Sequence, residues 1–183
     1  MQSELVDRAR HGDEGAFEAL ISTAVDRLYA AATLILHDRT LAEEAVQETM
    51  IRAWRDLPRL RDVSRFEVWL RCILVHACMD TIRSERRRSS KAELDADWRA
   101  PGDEIGQLAD RDAIGQAFRR LTLDHRSILV LRHYFGYPVP ELADLLRLPL
   151  GTAKSRLSRA ESAMRSALQT DASRRVEPQE GRA

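Results

Sequence analysis

The stretch PVPELADLLRLPLGTAKSRLSRAESAMRSAL, residues 138–168, predicts two helices that are joined by a tight turn. Leu142 and Leu146 place an apolar stripe on the first helix. The LPL sequence at residues 148–150 ends that helix, because proline has no amide hydrogen to donate. The following glycine is a flexible hinge, and Thr152 is a candidate N-cap for the second helix.

The second helix separates an apolar face from a basic, polar face. Its inward positions recur at three- and four-residue spacing: Ala153, Leu157, Ala160, Met164 and Leu168. Basic, hydroxyl and small residues lie on or beside the opposite face: Thr152, Lys154, Ser155, Arg156 and Arg159. A basic helix after a tight turn fits the major groove of DNA, where arginine bonds base edges and phosphates. A solvated face on an ordinary helical hairpin is the alternative.

Composition predicts an all-α protein. The 183 residues are 44% hydrophobic but only 5% aromatic, and they include 8 glycines. The net charge is zero, but the charges are segregated along the chain. Residues 83–91 hold five basic residues and one acid, whereas residues 93–112 hold seven acids and two arginines. We predict two small helical domains that are joined by a flexible acidic linker.

Apolar periodicity and turn signals divide the chain further. Helices are predicted at residues 4–10, 13–36, 40–57, 65–88, 111–120 and 124–135, before the turn motif. Asp13 and Ser64 are the expected caps of the second and fourth helices. The predicted organisation is a first domain at 1–88, a linker at 89–108, a second domain at 109–169 and a disordered tail at 170–183.

Several classes of site are not indicated. Cys72 and Cys78 point about 120° apart on one predicted helix, so they cannot pair within it. Cys72 and His76 share a face, but two ligands do not make a zinc site. No cofactor, metal site or catalytic constellation is predicted, so we do not expect an enzyme. The absence of a long apolar run predicts no membrane insertion, and the cysteines suit a reducing cytoplasm.

Three segments resemble the extracytoplasmic-function (ECF) sigma factors, a group of the sigma-70 family. LAEEAVQETMIRAW, residues 41–54, resembles the core-polymerase-binding helix of region 2 in that group. RFEVWLRCILVHACMDTIRSERRR, residues 65–88, is similar to its promoter −10 segment. LTLDHRSILVLRHYFGYPVPELADLLRLPLGTAKSRLSRA, residues 121–160, resembles region 4, which reads the −35 element. The resemblance implies a sigma region 2 helical bundle, a region 4 helix-turn-helix, and a non-catalytic factor that directs RNA polymerase to promoters.

The resemblance assigns a docking surface to the helix at residues 41–54. Its acidic, polar face carries Glu43, Glu44, Gln47 and Glu48. In the family this surface meets a basic coiled coil on the largest polymerase subunit, where charge complementarity steers docking. A routine ion pair between Glu48 and Arg52 on a solvated helix is the alternative, and both can hold in one helix.

The resemblance also implies two sets of DNA contacts. The −10 candidates are Arg61, Arg65, His76, Arg83, Arg86 and Arg87. The −35 candidates are Thr152, Lys154, Ser155, Arg156 and Arg159. His76 stands where the family often has Asn, and a half-buried helix histidine is its alternative. Phe66 and Trp69 share the apolar stripe and are expected in the core rather than as base-stacking platforms.

Two further positions carry specific expectations. Arg147 stands where the family commonly has Gly, and a positive φ there costs arginine about 1 kcal/mol. Glu161 is expected to balance Arg165, with a bond to a cytosine amino group as the alternative.

The implied partners are bacterial core RNA polymerase, promoter DNA and an anti-sigma factor. The acidic linker could lie in the basic channel through which RNA leaves the polymerase, or it could be a plain solvated tether. A different function also remains open: a conventional helix-turn-helix regulator that binds duplex DNA independently of polymerase.

Overall fold

The computed structural model describes residues 2–92 and 113–176 of the chain. These two ranges contain nine α-helices and no strand, so the prediction of an all-α protein is confirmed. The contacts divide the chain into two compact units, residues 1–100 and 101–183. Residues 93–108 of the predicted linker lie outside the described residues.

The N-terminal unit is a bundle of five helices. They are α1 (Gln2–Arg10), α2 (Glu14–Ser22), α3 (Val25–Leu36), α4 (Arg39–Asp56) and α5 (Phe66–Ala92). Helix α4 packs most extensively on α5 and also on α3. Ala42, Ala45 and Ala53 of α4 are fully buried, and their small side chains let neighbouring helices approach closely. The largest fully buried side chains of the unit are Val6, Leu28, Ile35, Leu57, Leu70, Leu74 and Val75.

Helices α2 and α3 are predicted as one helix, but they are separate and bent by 56°. Thr23 Oγ1 donates to the Leu20 carbonyl at 2.8 Å, and Ser22 Oγ donates to the Ala19 carbonyl at 3.0 Å. Such hydroxyl bonds offer the backbone an alternative to the regular helix ladder. The single-helix prediction was wrong because apolar periodicity does not register this local competition.

The predicted cap at Asp13 is confirmed. Asp13 Oδ1 accepts a hydrogen bond from the Ala16 amide at 3.0 Å, and this bond is the main cause that lowers the pKa of Asp13. Ser64 is not the cap before α5. The chain enters that helix through a 3₁₀ turn, and Asp62 caps the turn by accepting from the Ser64 amide at 3.0 Å and from its hydroxyl at 2.6 Å. Because this 3₁₀ turn precedes α5, the capping residue is Asp62, two residues before Ser64.

The C-terminal unit is built around one long helix. Its helices are α6 (Ala113–Arg119), α7 (Leu123–Leu129), α8 (Val139–Leu145) and α9 (Leu150–Val176), and a π-helical turn, Val130–Tyr134, follows α7. Helix α9 packs against α6, α7 and α8, so every other helix described in this unit rests on it. The fully buried side chains include Ile128, Val130, Leu131 and Leu142, together with Ala153 and Ala160 of α9.

The turn between α8 and α9 requires a left-handed residue. Arg147 has a φ of 53°, as expected for a position that favours Gly. Its amide donates to the Asp144 carbonyl at 3.2 Å, and the Leu148 amide donates to the Ala143 carbonyl at 2.8 Å. These two bonds form a Schellman motif, which satisfies the last carbonyls of α8. The turn therefore keeps its geometry with arginine at the strained position.

Helix α9 begins earlier and ends later than predicted. The Ala153 amide donates to the Pro149 carbonyl at 3.0 Å, so the helix begins at Leu150 and Thr152 is not its N-cap. Proline just before a helix suits its start because the missing amide hydrogen is not needed there. The helix also extends seven residues, 170–176, into the predicted disordered tail, because the first proline beyond residue 169 is Pro178. Residues 177–183 lie outside the described residues.

Helix α5 is also longer than predicted. It continues to Ala92, through residues 89–92 of the predicted linker. These four residues contain no proline or glycine, and the first such residue beyond them is Pro101. Polar composition alone therefore places the end of this helix too early.

Arg147→Gly is expected to stabilise the C-terminal unit by about 1 kcal/mol, because glycine adopts a positive φ without the strain that arginine carries. Arg165→Gly is the matched control, since Arg165 is exposed within α9 and the same change there is expected to destabilise the unit by about 1 kcal/mol. The measurement is the urea dependence of amide hydrogen exchange in α7 to α9. Equal destabilisation by both changes would contradict the strain at Arg147.

Candidate nucleic-acid interface

The polar face of α4 is available to solvent. Glu43, Glu44 and Gln47 are exposed, and Glu48 is half-buried beside them. Ile51 lies one turn further along this face and is 61% exposed, although it is a large apolar side chain. Sequence reasoning missed Ile51, and its signal was an apolar residue at helical spacing from Gln47 and Glu48. The surface therefore combines negative charge with one apolar side chain.

Trp54 lies near the C-terminal end of the same helix. It is 36% exposed, and its ring lies 5.0 Å from the ring of Phe17, a tilted contact between α4 and α2. This contact ties the C-terminal end of α4 to the rest of the bundle. Trp54 therefore acts as a packing residue that stays partly open to solvent.

A chain of ion pairs joins α4 to α5. Arg52 Nε lies 2.6 Å from Glu48 Oε1, which confirms the expected pair within α4. Arg52 Nη1 also lies 2.9 Å from Asp80 Oδ2 on α5, and Asp80 Oδ1 lies 3.3 Å from Arg83 Nη1. The hydrogen bond to Glu48 is the main cause that raises the pKa of Arg52, so this side chain stays charged. Sequence reasoning missed Asp80, because no local spacing links it to Arg52.

The −10 candidates lie on two elements of the N-terminal unit. Arg61 and Arg65 are exposed in the segment that connects α4 to α5. Arg83 and Arg87 are exposed further along α5, and Arg83 shares the carboxylate of Asp80. The side chain of Arg86 lies outside the described part of the chain. Four of the six candidates are therefore exposed cations, which is the property that phosphate contacts require.

His76 has a different environment from these arginines. It is half-buried, and its Nδ1 atom lies 3.6 Å from Cys72 Sγ, one turn earlier on α5. This environment matches the alternative of a half-buried helix histidine, so the −10 role of His76 stays a prediction. Cys72 is half-buried and Cys78 is buried. Within residues 2–92 and 113–176, no group of three or more His, Cys, Asp or Glu side chains could hold a metal ion.

The two aromatic residues at the start of α5 belong to the packing of the bundle. Phe66 is buried and Trp69 is half-buried, and their ring centroids lie 6.0 Å apart. Phe66 therefore lies in the core as predicted, and Trp69 packs at its edge.

The −35 candidates cluster on the first turns of α9. Thr152, Lys154, Ser155 and Arg159 are exposed. Ser155 Oγ donates to the Thr152 carbonyl at 3.0 Å, and Arg159 Nε donates to the Ser155 carbonyl at 3.2 Å. These bonds hold two of the side chains against their own helix.

Arg156 differs from the other four candidates. Its side chain is only 22% exposed, and its Nη1 atom lies 3.2 Å from Oδ2 of Asp124, in the first turn of α7. The structure therefore brings Arg156 together with an acid that sequence reasoning did not single out. An acidic residue near a helix start is common, so Asp124 carried no signal in the sequence.

Glu161 pairs with a residue other than the expected one. Its Oε1 atom lies 3.3 Å from Nε2 of His133 in the π-helical turn. Among the described residues this contact takes the place of the expected pair with Arg165, which is exposed. The π-helical turn brings His133 towards α9, an effect that helical spacing within α9 does not predict.

No single helix of the described ranges is long and apolar enough to cross a membrane. Helices α2 and α3 reach that length and composition only as a bent pair.

Comparison with known proteins identifies both units. Residues 20–88 match the Sigma-70 region 2 family, and residues 111–164 match the Sigma-70, region 4 family. The ECF RNA polymerase sigma factor SigL of Mycobacterium tuberculosis is 31% identical over 88% of this chain and 96% of its own length. The chain belongs to the ECF sigma factors of the sigma-70 family.

Other sigma factors match this chain over a similar share of its length. The RNA polymerase sigma-H factor of Pseudomonas aeruginosa is 28% identical over 91% of this chain and 93% of its own length. SigW of Bacillus subtilis is 24% identical over 92% of this chain and 97% of its own length. This sigma factor therefore binds core RNA polymerase and acts in transcription initiation, and an independent duplex-binding regulator is not favoured.

Two solved structures share the fold. CnrH in complex with the cytosolic domain of CnrY has a TM-score of 0.69, is 24% identical, and covers 93% of this sigma factor and 98% of its own chain. The sigma factor RpoE of Bartonella quintana, in complex with the anti-sigma factor NepR, has a TM-score of 0.68 and 24% identity, and covers 85% and 98% of the two chains.

Arg52→Met is expected to destabilise the N-terminal unit by about 1–2 kcal/mol, because it leaves the Glu48 and Asp80 carboxylates without their shared cation. Arg55→Met removes a more exposed pair with Asp56 and is expected to change stability much less. Urea unfolding followed by tryptophan fluorescence measures both values. Equal effects of the two changes would show that the ion pair between α4 and α5 adds nothing to the stability of the N-terminal unit.

Proposed function

We propose that the polar face of α4 docks on core RNA polymerase. The observation that carries this proposal is the occurrence of both family regions in one chain, with Glu43, Glu44 and Gln47 exposed on the region 2 helix. An acidic, partly apolar surface fits a basic partner, since opposite charges steer the encounter and Ile51 adds apolar burial. Glu48 contributes less charge to the partner, because it already shares a hydrogen bond with Arg52.

The exposed arginines of the N-terminal unit hold the −10 DNA in this proposal. Arg61 and Arg65 precede α5, while Arg83 and Arg87 lie towards its other end, so the helix offers cations at both ends. Cations at both ends of one helix can bind separate phosphates along a DNA strand. His76 lies between them and can donate or accept one hydrogen bond with a base.

Helix α9 enters the major groove of the −35 element in this proposal. Its first turns expose Thr152, Lys154, Ser155 and Arg159, and the tight turn with Arg147 sets the angle between α8 and α9. The second helix of a helix-turn-helix contacts base edges through its N-terminal residues. Lysine and arginine also bind the phosphates that flank the groove.

The two DNA contacts act together only on the polymerase. The chain carries 29 basic and 29 acidic residues, so long-range attraction to DNA is weak. Joining two modest contacts on one scaffold raises the effective concentration of the second contact after the first has formed. We therefore expect weak promoter binding by the chain alone and strong binding within the holoenzyme.

Regulation by a protein partner is part of the proposal. Both solved relatives were captured in complexes, CnrH with the cytosolic domain of CnrY and RpoE with the anti-sigma factor NepR. We propose that an anti-sigma factor of this kind controls the present chain. The protein itself performs no covalent chemistry in this proposal, and it works in the cytoplasm, where the polymerase acts.

Run-off transcription with purified core RNA polymerase and a pool of promoter fragments tests the function. Transcripts that depend on the chain are expected, and the selected fragments should share one −35 and one −10 sequence. Tight binding of the chain alone to duplex DNA, without any binding to core polymerase, would contradict the proposal and support a conventional regulator.

Glu44→Lys tests the docking surface. The change reverses one exposed charge on α4, so affinity for core polymerase is expected to fall about tenfold or more. Glu18→Lys is the matched control, because Glu18 is an exposed glutamate on a different helix, α2. Binding is measured by fluorescence anisotropy of labelled sigma factor at two salt concentrations. Equal losses for both variants would point to net charge and not to a specific surface.

A further inference from the structure

The contact between Arg156 and Asp124 joins the DNA-facing helix to a second helix. Arg156 lies on α9 and Asp124 lies on α7, and the two helices pack directly against each other. Asp124 is anchored near a defined helix start, where Thr122 Oγ1 accepts a hydrogen bond from the His125 amide at 3.3 Å. The carboxylate is therefore positioned by α7, not by the helix that carries the arginine.

The geometry leaves one edge of the guanidinium available. Asp124 Oδ2 lies 3.2 Å from the Nη1 atom of Arg156 as an ion pair, and no hydrogen bond from Nε or Nη2 of Arg156 occurs among the described residues. Arginine recognises guanine by two parallel hydrogen bonds to the O6 and N7 atoms, which need two donors on one edge. Nε and Nη2 form such an edge. The ion pair at Nη1 therefore draws the guanidinium towards Asp124 without using this pair of donors.

Stability alone is a weak explanation for this contact. The Asp124 side chain is 54% exposed, and ion pairs at exposed sites add little to the free energy of folding. A carboxylate beside a DNA-binding helix also repels phosphates, so it lowers affinity for any sequence. An acid in the first turn of α7 is favoured by the helix dipole, and its contact with Arg156 gives this acid a second effect that the dipole does not explain.

We propose that Asp124 is a specificity-determining residue that orients Arg156 towards one guanine of the −35 element. The inference rests on the proposed function, in which α9 lies in the major groove. Asp124 acts through Arg156 and makes no base contact of its own, so it is a positioning residue. An arginine that is held near one position discriminates between bases better than an arginine that is free to reach a phosphate or another acceptor.

The proposal predicts how a change at Asp124 alters base preference at the −35 element. Asp124→Asn keeps the size of the side chain but removes the charge that holds the guanidinium. Preference for guanine at one −35 position is expected to fall about tenfold, while preferences at the other positions stay unchanged. Affinity for unrelated DNA is expected to stay equal or to rise, because a negative charge near the phosphates is lost.

The experiment is a selection of −35 sequences from a randomised promoter library by the full-length chain in holoenzyme with core RNA polymerase. Five proteins are compared: the natural chain, Asp124→Asn, Arg156→Lys, the double variant that combines these two changes, and Asp144→Asn. Asp144 is an exposed acid on α8 with no ion pair to Arg156 in the described residues, so it controls for net charge. Thermal unfolding checks that each variant is folded, and Asp124→Glu, which keeps the charge, replaces Asp124→Asn if that variant fails.

The expected result is loss of the same guanine preference in Asp124→Asn and Arg156→Lys, with no further loss when the two changes are combined. For Asp124→Glu, a partial loss at that position is expected. Uniform weakening at all −35 positions, or a change in Arg156→Lys alone, would overturn the role of Asp124. Absence of any polymerase-dependent selection by the natural chain would instead overturn the proposed function.

Discussion

Burial of one face of α9 decides which of its side chains can reach DNA. Ala153, Leu157 and Ala160 are buried against the rest of the C-terminal unit, and this leaves the basic and hydroxyl residues of the first turns on the outside. The other helices described in this unit, α6, α7 and α8, contact α9. The packing core and the candidate reading surface are thus two sides of one helix, so a change in the packing would also rotate the reading surface.

In the N-terminal unit, α4 also has one buried face and one exposed face, and ion pairs join it to α5. Buried alanines of α4 allow close packing on α5, and the opposite face of α4 stays acidic and exposed. Arg52 then joins Glu48 on α4 to Asp80 on α5. The proposed docking surface and the proposed −10 surface therefore share one network of charges. A partly buried cation between two carboxylates holds the helices in a defined register more than it adds to stability.

Much of the fold follows from local patterns. Composition predicts that the chain is all-helical, the cap at Asp13 follows from local chemistry, and the strained position at Arg147 follows from the family resemblance. Local patterns fail where a short polar side chain competes with the helix ladder, as at Thr23, or where a 3₁₀ turn moves a cap from Ser64 to Asp62. Helix ends are also misplaced when a polar segment lacks proline and glycine, because such a segment continues a helix at little cost.

The sequence by itself determined the order of the two units, the helical periodicity of the candidate surfaces, and the pair between Glu48 and Arg52, whose partners lie one turn apart. Only the tertiary structure decided that Arg52 reaches Asp80, that Arg156 meets Asp124, and that Glu161 pairs with His133. The physical reason is that spacing within one helix sets local neighbours, whereas contacts between helices depend on how the buried faces pack. The candidate −35 surface therefore includes a contact with an acid from a neighbouring helix.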